Sequence, residues 1–233
     1  MNSFLDASLD AFLLLLSGDG QVWAIVGRSL LISLISVVIG AMIGIPFGTL
    51  LALKQFRGRD VLSTLTNGFM GLPPVVIGLG VFLLLARNGP FGVLDLLYTK
   101  QAMIIAQVIL VTPIIAAYSR DVMMTQSARF GMLLRAYHVP RLAGVLTLMK
   151  EGRRGIIGGL LAGFGRASAE VGAVMIVGGN IEAHTRVMTT AITLETAKGN
   201  LALALGLGFV LIAMTVIVSA LLSGLTRERG AKL

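Results

Sequence analysis

Two residues of opposite charge, Arg166 and Glu170, stand in the middle of the apolar stretch GLLAGFGRASAEVGAVMIVGGN. On insertion scales, a charge at the centre of a membrane helix costs about 2.5–3.5 kcal/mol. Residues four apart share one face of a helix, so the spacing predicts an Arg166–Glu170 pair within one continuous helix. Pairing reduces the cost without making the pair more stable than two apolar residues. One hypothesis is therefore that the pair gates a pathway or contacts an anion, and the other is a purely structural pair.

Neutral polar side chains follow this stretch, and their hydroxyl and amide groups suit contact with a passing anion. They are Asn180, Thr185, Thr189, Thr190 and Thr193, with positive charge added by His184 and Arg186. The alternative is an ordinary surface helix with a solvated face. The glycines at 178 and 179, followed by Asn180, predict the end of a helix in either case.

The segment GLPPVVIGLG contains two adjacent prolines, Pro73 and Pro74. Each proline removes a backbone donor and bends or breaks a helix, so we predict a broken or kinked span here. Such a break is usual where a helix lines a pathway, and also where it only bends around a neighbour.

Several kinds of catalytic site are excluded by the sequence. It has no cysteine, and its two histidines, His138 and His184, stand far apart. The motifs HExxH, GxSxG and GxxxxGK[ST] are absent, so we predict no metal site, no catalytic residue and no ATP hydrolysis by a P-loop of this chain. The chain is predicted to be no enzyme and to bind no cofactor of its own.

The composition places these residues in a bilayer. Hydrophobic residues make up 56% of the chain and charged residues 13%, with a mean hydropathy of +0.91. A soluble domain carries about a quarter charged residues. Five segments are long enough to cross about 30 Å of hydrocarbon, over about residues 24–53, 62–86, 102–118, 156–177 and 201–225. We therefore predict an all-α integral membrane protein with five transmembrane helices.

The N-terminal segment is not predicted to be a signal peptide, because it lacks a basic start and carries Asp6 and Asp10 before its apolar residues. Its apolar residues recur at helical spacing. Residues 1–20 are predicted to form an interfacial helix, and residues 21–233 a single transmembrane domain.

The basic residues indicate the orientation of the chain. Thirteen of the 19 Lys and Arg residues fall on the side that holds the C-terminus, and five on the other. The positive-inside rule then places the N-terminus outside and the C-terminus in the cytoplasm. No nucleic-acid partner is predicted, because the basic residues stand between hydrophobic runs rather than on one solvated face.

Small residues recur every four positions in the first and fourth predicted spans. Small residues at this spacing let helix backbones approach closely, and such packing drives helix association in lipid. The two stripes are Gly40, Gly44 and Gly48, and then Gly155, Gly159, Gly163 and Ala167.

The longest predicted cytoplasmic stretch, about residues 120–154, is too apolar for a loose linker and too basic to span. It predicts a short helix over about residues 130–138, a turn at Pro140 and a second helix. Its apolar face either packs under its own membrane helices or docks onto a cytoplasmic partner. The candidate docking residues are Phe130, Leu134, Tyr137, His138, Val139, Pro140 and Leu142.

The segment GFGRASAEVGAVMIVGGN resembles the RAxxExGA core of permeases that import molybdate, sulfate and tungstate. The continuation TRVMTTAITLETAKGN is similar to the tungstate branch, and GLPPVVIGLGVFLLLARNGPFG is similar to a segment shared by molybdate and tungstate permeases. The resemblance covers about residues 40–208. The cytoplasmic stretch resembles the coupling motif of this family in its spacing but not in its signature residues, and the alignment puts His138 at the motif glycine.

This resemblance implies the type I ABC importer permease fold and a permease subunit that carries tungstate, or a similar oxyanion such as molybdate, across the prokaryotic cell (inner) membrane. The implied partners are a second copy of the chain, a cytoplasmic ABC ATPase dimer that binds ATP and magnesium, an extracytoplasmic tungstate-binding protein, and membrane lipid. The cytoplasmic stretch would be the coupling loop. The pathway or gate would include Pro73, Pro74, Arg166, Glu170, Asn180, Thr189 and Thr190.

Two other functions are weighed against this one. A proton-coupled secondary transporter would use Arg166 and Glu170 as a relay, but the sequence shows no internal repeat of the kind that many such transporters have. A membrane enzyme is disfavoured by the missing catalytic motifs. The sequence does not distinguish tungstate from molybdate.

Overall fold

The computed structural model describes residues 20–224, with the backbone alone for Ser223, and within this range it contains nine α-helices, one short 3-10 helix and no strand. The predicted all-α fold is confirmed for these residues, while the predicted interfacial helix falls on residues that are not described, apart from Gly20. The helices are α1 (Gly20–Leu53), α2 (Arg59–Met70), α3 (Pro74–Leu85), α4 (Lys100–Ala136), α5 (Arg141–Glu151), α6 (Arg153–Ser168), α7 (Gly172–Gly178), α8 (Met188–Ala197) and α9 (Leu201–Gly224), with the 3-10 helix at Gly92–Leu94.

Three of these helices, α1, α4 and α9, are long and apolar enough to cross a membrane. Two further spans pass the same test only as bent pairs, α2 with α3 at 102° and α6 with α7 at 58°. Judged by length and composition, the described residues therefore hold between three and five spans. The bend between α2 and α3 confirms the kink predicted from Pro73 and Pro74.

The long helix α4 differs from its prediction. The sequence predicts a span over about residues 102–118 and a separate short helix over about residues 130–138, but one helix of 37 residues runs from Lys100 to Ala136. At 1.5 Å per residue, it is about 55 Å long, which exceeds the hydrocarbon thickness. The sequence becomes polar after Tyr118, which ends the apolar run. This polar segment contains no proline and no glycine that ends the helix, so the helix continues.

Both glycine stripes pack against α4, which confirms the predicted close packing. On the α1 side, a Cβ atom at Gly44 would lie 3.0 Å from the Thr112 carbonyl oxygen. On the α6 side, a Cβ atom at Gly159 would lie 2.7 Å from the Tyr118 Cβ. Because glycine has no side chain, the three backbones approach to distances that any larger residue would prevent. The helix α4 is thus held between α1 and α6.

Large apolar side chains are exposed along the spanning helices, as expected where helices face lipid. Met42 of α1 is 73% exposed and Leu221 of α9 is 67% exposed. The interior lies between the helices instead, and one of its clusters joins α3, α4 and α7 through Val81, Met103 and Val177.

Candidate translocation and coupling sites

The predicted continuous helix over residues 156–177 is wrong, because the chain breaks between α6 and α7. The first helix ends at Ser168, and the second begins at Gly172 with its axis turned by 58°. Arg166 is therefore in the last turn of α6, and Glu170 is in the connection. The two residues no longer share one helical face.

The predicted Arg166–Glu170 ion pair is wrong for the same reason. One guanidinium nitrogen of Arg166 donates a long hydrogen bond of 3.5 Å to the Leu72 carbonyl oxygen. The Glu170 carboxylate accepts a 3.0 Å hydrogen bond from the Ala173 backbone N–H, in the first turn of α7. Arg166 thus reaches towards the α2–α3 bend, while Glu170 binds the start of its own following helix.

Side chains from distant parts of the chain hold this break in place. A helix break leaves backbone groups without their usual partners, and in a membrane each of them needs another. The Gln107 side-chain amide of α4 donates to the Ala167 carbonyl oxygen at 3.1 Å, and the Thr189 hydroxyl donates to the Glu170 carbonyl oxygen at 2.8 Å. Gln107 was not identified as a site residue from the sequence, because its only signal there is a single amide inside the apolar run MIIAQVILV.

The two bends lie against each other. A Cβ atom at Gly78 of α3 would lie 2.6 Å from the Ala173 Cα of α7, and one at Gly172 would lie 2.7 Å from a Val75 methyl group. Pro73 precedes α3 and Pro74 is its first residue. The structure therefore brings Pro73, Pro74, Arg166 and Glu170 into one region.

The polar residues beyond α7 are engaged in local hydrogen bonds. The helix α7 ends at Gly178, and Gly179 takes a left-handed conformation with φ 68°, which confirms the predicted helix end. The Thr190 hydroxyl accepts from the Val187 N–H at 3.1 Å and so caps α8. The Asn180 amide donates to the Thr190 carbonyl oxygen at 3.5 Å. Thr189 and Thr190 are buried, and their contact with an anion stays a prediction.

A cavity of about 360 Å³ lies at the end of α1 that begins at Gly20, between α1, α8 and α9. The Arg28 guanidinium donates to the backbone carbonyls of Arg186 and Ala183. Arg186 in turn lies 3.7 Å from the Glu182 carboxylate. The pKa of the nearby Glu195 carboxyl is lowered, mainly by the hydrogen bond from Lys198, although burial acts in the opposite direction. Both positive and negative groups therefore line this cavity.

The predicted docking stretch forms an elbow between α4 and α5, which we define as residues 137–140. His138 takes a left-handed conformation with φ 50°. The Val139 N–H bonds the Leu134 carbonyl oxygen at 3.0 Å, and the Gly144 N–H bonds the Pro140 carbonyl oxygen at 2.9 Å. The predicted turn at Pro140 and the helix after it are confirmed, while Phe130 and Leu134 belong to α4 itself.

The elbow and the helix ends beside it present apolar side chains to the surroundings. Tyr137 is 75% exposed and Leu142 is 74% exposed, whereas Phe130, Leu134 and Val139 are half-buried. Basic residues accompany them, since Arg129 lies over the Phe130 ring at 5.3 Å and Arg141 begins α5. An exposed apolar patch with a basic surround is the kind of surface that protein partners cover.

No protein-family model matches the sequence, but curated relatives do. A probable anion ABC transporter permease protein of Haloferax volcanii is 38% identical over 205 residues, which cover 85% of this chain and 88% of the relative. The tungstate uptake system permease protein of Peptoclostridium acidaminophilum is 34% identical over 92% of this chain and 94% of its own length. The tungstate uptake system permease protein of Campylobacter jejuni is 35% identical over 90% and 89%.

Among solved structures, the inward-facing MetNI methionine ABC transporter matches with a TM-score of 0.62, covering 88% of this chain and 90% of that chain. Its sequence identity of 17% shows a shared fold alone. The apolar helices and the relatives above 30% identity place the chain among multi-pass membrane proteins. The chain belongs to the anion ABC transporter permeases, the family that includes the tungstate uptake permeases.

Proposed function

We propose that the chain is the permease subunit of an ABC importer that carries tungstate, or a similar oxyanion such as molybdate, into the cytoplasm. The observation that carries this proposal is the identity of 34% and 35% to two tungstate uptake permeases over nearly the whole chain. The machine would contain two copies of this chain, an ATPase dimer that binds ATP and magnesium, and an extracytoplasmic tungstate-binding protein.

The proposed pathway passes beside the two bends. Irregular backbone at membrane depth is tolerated only where protein or a water-filled cavity covers it. A tetrahedral dianion needs weak positive charge and neutral donors, because a deep cationic trap would bind it without releasing it. Arg166 suits this role, since its long bond to the Leu72 carbonyl is weak and easily given up. Glu170 is turned to the Ala173 N–H, so its charge is partly offset by the backbone.

The proposed coupling surface is the elbow with the first turn of α5. The ATPase would cover Tyr137 and Leu142. Because α4 is one continuous helix, it would carry a movement of the elbow, caused by the ATPase, to Gln107 at the break. In the proposed topology, each bent pair counts as one span, giving five in all. The N-terminus is then outside, and the elbow and the C-terminus are in the cytoplasm.

A cell strain that lacks the gene tests the proposal. We expect lower tungsten content after growth in trace tungstate, measured by mass spectrometry, and recovery when the gene is returned on a plasmid. Excess molybdate should compete more strongly than sulfate if the substrate is the one proposed. Recovery that persists in a strain without the partner ATPase, or that follows the proton gradient, would favour the secondary-transporter alternative.

A further inference from the structure

A second, much smaller cavity lies at the α6–α7 break, where α1, α4 and the start of α8 meet. Polar side chains make up most of its wall: Ser29, Ser33, Gln107, Ser168, Glu170 and Thr189. Its volume is about 10 Å³, which is just enough for a single water molecule. The setting is unusual, because the surrounding helices are strongly apolar.

Two buried polar atoms in this wall have no hydrogen-bond partner among the described residues, namely Gln107 Oε1 and Ser168 Oγ. Gln107 is 4% exposed and Ser168 is 7% exposed. The amide nitrogen of Gln107 is already bonded to the Ala167 carbonyl, so its oxygen is held in place. A buried acceptor without a partner is costly, and an ordered water or ion commonly satisfies it.

The mixture of donors and acceptors in the wall favours water over a cation. Gln107 Oε1 and the Glu170 carboxylate can only accept, whereas the Ser168 hydroxyl can also donate. The Ser29 hydroxyl accepts from the Met188 N–H at 2.7 Å, so its own proton is available for a further bond. A water molecule both donates and accepts, while a cation would serve the acceptors alone.

We propose that this cavity is a hydration site that holds one buried water molecule. The water donates to Gln107 Oε1 and to the Glu170 carboxylate, and it accepts from the Ser168 hydroxyl. It completes the hydrogen bonding of a break whose backbone groups are otherwise bound by Gln107, Glu170 and Thr189. The water thereby ties α4 to the end of α6 and to the connection that follows it.

The substitution Ser168→Ala tests the proposal, with Ser119→Ala as the matched control. Ser119 Oγ is also buried without a partner, but Ser119 lies elsewhere on α4 and does not line this cavity. If the water is present, Ser168→Ala removes one of its bonds, and the Tm of the purified full chain in detergent falls by about 2–4 °C relative to Ser119→Ala. If the cavity is dry, both substitutions remove an unpaired hydroxyl, and both leave the Tm unchanged or raise it, which would overturn the proposal.

An experimental structure of the full chain that resolves ordered waters provides a second measurement, independent of how the variants fold. We expect one density peak within hydrogen-bond distance of both Gln107 Oε1 and Ser168 Oγ. An empty cavity in a map that shows other buried waters would refute the site. A Tm that rises with sodium concentration when choline chloride is replaced at constant ionic strength would assign the cavity to a cation and would also overturn the proposal.

Discussion

The side-chain amide of Gln107 donates a 3.1 Å hydrogen bond to the backbone carbonyl of Ala167, sixty residues further along the chain. This bond joins the first quarter of the longest helix, α4, to the point where α6 stops. The following residues of the chain supply only a long 3.4 Å bond to this carbonyl, from the Glu170 N–H, and Gln107 of the neighbouring helix adds a shorter one.

Replacing Gln107 by Leu should therefore destabilise the break. The Ala167 carbonyl would lose its side-chain partner and keep only the long bond from the Glu170 N–H, at a cost of about 0.5–1.5 kcal/mol. Gln101 lies exposed in the first turn of the same helix, so Gln101→Leu is the control and should change stability by less than about 0.5 kcal/mol. Thermal unfolding in detergent measures both, and equal Tm values for the two variants would argue against a supporting role of Gln107.

Arg166 and Glu170 should act independently on stability. Since they bind different backbone groups rather than each other, the coupling energy between Arg166→Gln and Glu170→Gln in the double variant should stay below about 1 kcal/mol. Exchanging the two charges should not restore stability for the same reason. A coupling above about 1 kcal/mol between the two substitutions would instead indicate the ion pair that the sequence alone suggests.

An added methyl group should change the stability of the protein in opposite directions at two adjacent glycines of α6. A Cβ atom at Gly159 meets the Tyr118 Cβ at 2.7 Å, whereas one at Gly158 meets nothing within 4 Å. Gly159→Ala should cost about 1–3 kcal/mol through overpacking, and Gly158→Ala should be neutral or stabilise by up to about 1 kcal/mol through helix propensity. Similar Tm values for the two variants would mean that α4 and α6 are not in close contact there.

A charge on the proposed coupling surface, which is the elbow with the first turn of α5, should weaken binding of the ATPase. Leu142→Asp places a carboxylate on a surface that we propose the partner covers, so we expect binding about tenfold weaker or worse in a pull-down of the purified subunits. Leu142 is 74% exposed in the chain alone, so the fold should tolerate the change. The control is Val93→Asp, at a position that is 97% exposed in the 3-10 helix. Unchanged binding of Leu142→Asp would place the docking surface elsewhere.

The parts of the fold that depend on local patterns were predictable from the sequence. Apolar length gives the spanning helices, Pro73 and Pro74 give the first bend, and Gly179 gives the end of α7. The glycine stripes also predict close packing, although their spacing does not say that both meet the same helix.

The α6–α7 break was not predictable in this way. The segment RASAEVGA contains no proline, and its only glycine comes after the break. The conformation depends on Gln107 and Thr189, which lie far away in the sequence and whose contacts follow from the tertiary fold. The length of α4 was missed for a different reason, because a change from apolar to polar residues marks the edge of the membrane and not the end of a helix.

The most direct test of the proposed function is tungstate uptake by proteoliposomes that contain this chain, its partner ATPase and the tungstate-binding protein. We predict accumulation of tungstate that requires ATP and all three proteins, and that disappears when the ATPase carries a substitution that blocks hydrolysis. Uptake that proceeds without the ATPase, or a complete and active ATPase complex that transports neither tungstate nor molybdate, would contradict the proposed function.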